Sequence, residues 1–386
     1  AAEYVRHALY GESIPGIGAE FNLLQNIIPK IELDEINALV PVLMTNDNLV
    51  VSVSGPGTVE MPLPSRTEIE KVFSTVSELT LTAYEDVTTE AALLPAMPTP
   101  GSIVAEKSIP SLNLTEWTLS NGIKVVLKPT DFKADEVLLS ATSPGGLSLA
   151  PDADYMSATF STNLVGGSGV GAFGAVELSK KLTGKIARIR PYVSNLEEGF
   201  SGSASPQDLE TMFQLSYLYA TAPRADSSVF ASFMSRINSM LSTLAANPQS
   251  AFGDTLGVTL SQYHFRSRPF SSEILSEVDL GTGLEFFKDR FSDFSDFTFY
   301  LVGAFEPNSI RSFVETYWAS LPSIGRMETP RDDGKRTPMG VIKKEVYKGV
   351  EEQSQIALIF SGESDWSMAE RRRLALLKDV VEKRLR

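Results

Sequence analysis

The stretch Asn163–Leu182, NLVGGSGVGAFGAVELSKKL, contains a G-x-G-x-x-G in Gly169, Gly171 and Gly174. Whether it opens a nucleotide-binding helix decides the fold class. A dinucleotide fingerprint stands directly after a strand, so that the pyrophosphate meets free N–H groups at a helix N-terminus. Here Tyr155–Leu164 sets Met156, Phe160 and Leu164 at i, i+4 and i+8, which predicts a helix before the glycines. The acidic residue expected about 20 positions on falls at Glu197 and Glu198, in the turn of a predicted hairpin. Nucleotide binding is therefore set aside, and the run reads as a tight turn between two helices or as a glycine loop that touches a peptide.

Outward from that run the pattern is α+β. Before it, EWTLSNGIKVVLKPT holds an Asn121-Gly122 turn between two apolar runs, a strong hairpin signal, and DEVLLSATSPGG continues as strand into a glycine turn. After it, KIARIRPYVSNLEEGFSGSAS reads as paired strands, followed by helices in QDLETMFQLSYLYATAP and VFASFMSRINSMLSTLAAN. Strand FTFYLVGAFEP and helix NSIRSFVETYWASLP close the segment. The same order of strand, proline and helix occurs upstream, in NLVVSVSGP and TEIEKVFSTVSEL, where Ser65 and Glu68 form a predicted capping box. Helices are expected in residues 1–12, 18–31 and 32–44, with Asp34 as a cap. The Pro-rich stretch between Thr88 and Pro110 reads as an extended linker. Strands in GVIKKEVYKG and SQIALIFSGE and a helix from Ser367 complete the chain. The expected organisation is residues 1–90 as the end of one lobe, 91–111 as linker, 112–325 as a complete lobe, and 326–386 as the start of another.

The chain has 386 residues and a formal net charge of -14. That length predicts more than one domain, and that charge argues against nucleic-acid partners. The absence of cysteine excludes disulfides, thiolate zinc sites and a Cys nucleophile. No run of 18 apolar residues predicts a membrane span. Helical periodicity from the first residues, and a terminal helix still running at Arg386, lead us to expect an internal piece of a longer chain.

Candidate chemistry is sparse. His7 and His264 are the two histidines, and neither has a second ligand at zinc spacing. His7 reads as a helix-surface residue and His264 as a loop or packing residue. No G-x-S-x-G is present. Glu197 and Glu198 are adjacent carboxylates in a turn and are expected to be solvated, and Arg371–Arg373 read as a charged helix face.

The order of elements resembles the pitrilysin/insulinase family of zinc metallopeptidases, the inverzincins, in its bacterial processing-protease branch. The likeness is carried by residues 116–146 as the start of a family lobe, 297–323 as its final strand and helix, and 4–39 as the helical end of a preceding lobe. It implies paired α+β lobes around a chamber, each with a mostly antiparallel sheet covered by helices on one face. One lobe would carry H-x-x-E-H, with two histidines holding zinc and the glutamate activating water. By similarity, Thr159-Phe160-Ser161-Thr162-Asn163 stand where that motif would be. Thr159 and Asn163 cannot replace imidazoles, and Thr162 has no pKa suited to a general base. Catalytic and metal residues are thus expected to be absent from this piece, with zinc in an N-terminal lobe of the parent. Gly166, Gly167, Gly169 and Gly171 become the candidate peptide-contact loop. The implied partners are a peptide or unfolded polypeptide and the catalytic lobe of the same parent chain, and the implied compartment is periplasmic or secreted. An assembly module whose parent has no protease activity is the alternative.

Overall fold

The computed structural model describes residues 2–43, 45, 49–55, 62–80, 82, 91–349, 352–363 and 365–385. The chain divides into two compact units, Ala1–Glu85 and Asp86–Arg386.

The first unit holds α1 (Ala2–Tyr10), α2 (Ile17–Ile27), α3 (Leu33–Leu43) and α4 (Arg66–Glu78). The capping box forms as expected: Glu68 N–H donates to Ser65 Oγ at 3.3 Å, and Ser65 N–H donates to the Glu68 carboxylate at 2.7 Å. Asp34 is not the cap of α3, because the helix already begins at Leu33 and leaves Asp34 inside its first turn. No residue of these four helices is buried, and Phe21, Leu24, Ile36 and Leu39 stand exposed. The strand expected in NLVVSVSGP does not form over residues 49–55, while Asn48 and Pro56 lie outside the described residues. A strand needs a pairing neighbour to satisfy its backbone, and none is present among the described residues, so there the upstream echo of strand and helix reduces to α4.

The second unit is built on a seven-stranded sheet. In chain order its elements begin with β1 (Ile103–Ile109), β2 (Leu114–Leu119), β3 (Lys124–Pro129), β4 (Val137–Pro144), α5 (Tyr155–Ser168) and α6 (Ala175–Lys181). They continue with β5 (Ala187–Val193), β6 (Glu197–Ala204), α7 (Leu209–Thr221), α8 (Ser227–Ala246), α9 (Pro248–Leu260), α10 (Ser272–Leu275) and α11 (Leu280–Arg290). The last are β7 (Thr298–Gly303), α12 (Pro307–Phe313), which runs into a π turn at Val314–Trp318, and α13 (Met368–Leu385). The strand order is β1-β2-β3-β7-β4-β6-β5. Every neighbouring pair is antiparallel except β3 and β7.

Local chemistry explains the pairing. Gly122, at φ 94°, turns β2 into β3, and Asn121 Nδ2 ties that turn to the Trp318 and Leu321 carbonyls at 2.9 and 3.1 Å. The second half of the Pro-rich stretch joins the sheet as its edge strand β1, paired with β2. Side chains alternate in burial along β4 and β7, so one sheet face is covered and the other is open. On the covered face Val125, Leu127, Leu139, Phe299 and Leu301 meet the helices. Trp318 is the anchor, its ring 4.2 Å from Phe213 and 4.4 Å from Phe299 between centroids. Phe287, Phe291, Phe294 and Phe297 fill the end of the same core.

The two strands expected after Met339 do not form over residues 340–349 and 352–363, although α13 does. Val341, Ile356 and Phe360 are exposed there, so the alternating apolar pattern is present without a neighbour to pair with among the described residues.

Candidate functional site

The glycine run is only half a loop. Leu164, Val165, Gly166, Gly167 and Ser168 form the last turn of α5, and Gly169 ends the helix. At Gly169, φ is 85° and an added Cβ would lie 2.2 Å from the Phe173 carbonyl. Only glycine fits that position. A compact turn follows, with Val170 N–H donating to Phe173 O at 2.9 Å and Gly171 N–H to Ala222 O at 2.9 Å. Arg224 Nη1 donates to Gly171 O at 3.2 Å, and Asp226 N–H donates to Ser168 Oγ at 3.0 Å. The turn delivers the chain to α6, where Glu177 accepts from Gly174 N–H at 2.9 Å. Gly169 and Gly171 are therefore explained by the fold itself.

Gly166 is not. It lies inside a helix, where glycine costs about 1 kcal/mol relative to alanine, and a Cβ there would meet nothing within 4 Å. At Gly167 a Cβ would come 3.3 Å from Val229 Cγ1, a contact that a small shift relieves. Thr159, Thr162, Asn163 and Gly166 are spaced i, i+3, i+4 and i+7 and share one face of α5. Thr159 and Thr162 are half-buried, while Asn163 and Gly166 are exposed. Beside Asn163 the helix thus offers bare backbone to whatever approaches that face.

This face does not fit zinc. Thr159 Oγ1 donates to the Tyr155 carbonyl of its own helix at 2.8 Å, and neither Thr162 nor Asn163 supplies an imidazole or a carboxylate. Among the described residues no three His, Asp or Glu side chains gather as a metal group. The histidines stay in separate units. His7 is exposed with Nδ1 2.6 Å from the Glu12 carbonyl, and His264 caps a short turn by accepting from Arg266 N–H at 3.3 Å.

Glu197 and Glu198 are not a solvated pair. They begin β6, and the alternation of the strand splits them between faces, leaving Glu197 exposed and Glu198 fully buried, at 0% exposure. Glu198 Oε2 accepts from Gly146 N–H, and Oε1, with no hydrogen-bond partner, lies 3.6 Å from Arg290 Nη1. Burial pushes the Glu198 carboxyl up to about 8, against the Gly146 bond and Arg290, with Glu328 and Asp296 adding repulsion. Arg290 also binds both oxygens of Glu328, at 2.6 and 3.0 Å, and pairs with Asp289. The same cluster fastens the segment that follows the π turn. Arg326 N–H and Ile324 N–H donate to Asp293, and Glu328 N–H to Asp296. Sequence reading missed this cluster, but the signal was there: Glu198 and Phe200 are two apart and so share the inward face of a strand.

A seven-stranded sheet with helices on one face is an architecture that solved structures of zinc proteases share. In sequence and fold the chain is similar to zinc proteases. It is 26% identical over 366 residues to a zinc protease PQQL-like of Arabidopsis thaliana, covering 93% of this chain and 36% of that protein. It is 21% identical over 294 residues to a probable zinc protease PqqL of Haemophilus influenzae, covering 74% of this chain and 30% of the relative. Among solved structures it matches the periplasmic protease PqqL from Escherichia coli, with a TM-score of 0.57 and 18% identity, over 87% of this chain and 37% of that one. It also matches a mutant of the ferredoxin protease FusC in complex with Arabidopsis ferredoxin, with a TM-score of 0.56 and 20% identity, over 71% and 30% of the two chains. No family model matches. The chain spans about a third of the length of the relatives it matches.

Proposed function

We propose that the chain is the non-catalytic section of a zinc metalloendopeptidase, walling a chamber and holding peptide while a separate N-terminal lobe carries zinc and catalysis. The observation that carries this is α5: on a fold shared with zinc proteases, the positions that by similarity would hold the metal motif are Thr159, Thr162 and Asn163, and the last turn of the helix holds Gly166, with open space over it. Bare backbone at Gly166 and Gly167 lets an extended peptide come close enough to bond to it, while Gly169 and Gly171 shape the turn. Residues 1–90 and 326–386 belong to neighbouring lobes, which accounts for α1–α4 without buried residues and for apolar alternation without a sheet. Compartment follows the relative described as periplasmic, with export to the periplasm or beyond.

The test is peptide cleavage with and without zinc, comparing this chain alone with the chain combined with the upstream half of its parent. Activity only in the combined sample supports the proposal. Cleavage by the chain alone overturns it, and no cleavage in either assigns the chain to an assembly role.

A further inference from the structure

The open face of the sheet has an uneven distribution of charge. Across the strands one row of outward residues reads Lys128, Val302, Leu138, Ser203, Arg188, and the next reads Val126, Tyr300, Ser140, Ser201, Arg190. Lys124 stands on the same face of β3 as Lys128. The cations therefore form two rails, on β3 and on the edge strand β5, separated by four strand spacings or about 19 Å. Between them the outward residues of β7 and β4 are uncharged, and Tyr300 and Leu138 are 40% and 47% exposed.

The acids on this face are already engaged. Glu116 lies 3.9 Å from Lys107, and Glu197 accepts from Thr142 Oγ1 at 3.1 Å and Tyr192 OH at 3.2 Å. Arg188 Nε donates to Ser203 Oγ, and Lys128 Nζ to the Leu112 carbonyl. Among the described residues, none of Lys124, Lys128, Arg188 and Arg190 has a carboxylate within ion-pair distance. Four such cations on one face run against the chain's net charge of -14. A long polyanion such as nucleic acid would meet that overall charge, whereas a short acidic segment of polypeptide meets chiefly the local one, because screening acts within about 10 Å.

We infer that the open sheet face is a docking surface for an acidic amphipathic segment of polypeptide, laid along β7 and β4 between the two basic rails. A helix with its side chains is about 10–12 Å across, so it fits the strip with apolar residues on Tyr300 and Leu138 and carboxylates reaching either rail. This rests on the peptide-binding proposal above and adds to it a second surface, on the sheet face opposite the helices, that selects acidic polypeptide.

The test is fluorescence polarisation on the full chain with a labelled amphipathic helical peptide of Glu and Leu, its Lys-for-Glu counterpart, and a duplex DNA oligomer. The acidic peptide binds, more weakly at high salt. Reversal at R188E/R190E or at K124E/K128E lowers its affinity about tenfold, as expected for two lost surface pairs turned repulsive, with the melting temperature unchanged. Equal binding of the basic peptide or of DNA, or indifference to both reversals, overturns the inference. If Gly166→Val abolishes binding while the reversals do nothing, the docking face is refuted and the peptide-binding proposal stands. If neither peptide binds the wild-type chain, both fall.

Discussion

Replacing Glu198 by glutamine should make the protein more stable, and increasingly so as pH rises. Glu198 ionises near 4.5 in the unfolded chain and near 8 in the fold, so between those values the folded state holds a proton that the unfolded state has lost. The folded carboxyl pKa is raised, and stability therefore falls as pH climbs from about 4.5 to about 8 and is flat above. At about 1.4 kcal/mol for each tenfold difference in proton affinity, the full cost is about 5 kcal/mol. Glutamine keeps the volume of the side chain and an oxygen for Gly146 N–H, and it cannot ionise. The difference between E198Q and wild type should be small near pH 5 and reach a few kcal/mol at pH 8. Urea unfolding followed by tryptophan fluorescence across that range measures it, since Trp117 and Trp318 are buried in the same core. A variant less stable than wild type at pH 8, or a difference that does not change with pH, would show that Glu198 is ionised and held by Arg290, and the reasoning would fail.

The two kinds of glycine should respond in opposite directions to alanine. Gly166→Ala gains up to about 1 kcal/mol of helix stability, whereas Gly169→Ala loses about 1–3 kcal/mol through its positive φ and the clash with Phe173 O; thermal melting separates them. Trp318→Ala should cost about 3–5 kcal/mol, seen as a lower urea midpoint. Burial alone would raise the Asp293 carboxyl, but bonds from Ser295, Arg326 and Ile324 outweigh it and hold the group below the usual carboxylate range. The stability it adds is present above the ordinary carboxylate pKa and lost as pH falls through the depressed folded value. Asp293→Asn should flatten that acid limb and speed proteolysis between Ser323 and Glu328.

The sheet was legible because its signals are local. Asn121-Gly122 fixed one hairpin, and the β-branched and aromatic run from Phe297 fixed the central strand. Two strands were overread: Leu49–Gly55 and Ser354–Glu363 carry strand composition, but pairing is a property of two segments, and among the described residues neither finds a second. The glycine run was half legible. Composition marked Gly166–Gly171 as loop, yet the register of Met156, Phe160 and Leu164 carries the helix one turn further, to Ser168. The spacing of Met156, Phe160 and Leu164 did place Thr159, Thr162 and Asn163 on a helix. The Glu198 cluster was missed because two adjacent acids suggest a turn, and the strand period that separates them becomes decisive only once β6 is known to begin at Glu197.

The strand order leaves β1 and β5 as open edges. Unpaired edges are templates for the strands of other chains, a hazard for a sheet that already exposes Tyr300 and Leu138. β5 meets it with Pro191, which cannot donate to a new ladder, and with outward Arg188 and Arg190, whose like charges repel a second copy of the same edge. β1 meets it with Glu106 and Lys107 and with a shift of register between Ile103 and Ala105. The same arginines that suit an acidic visitor thus also help keep the molecule from polymerising on itself.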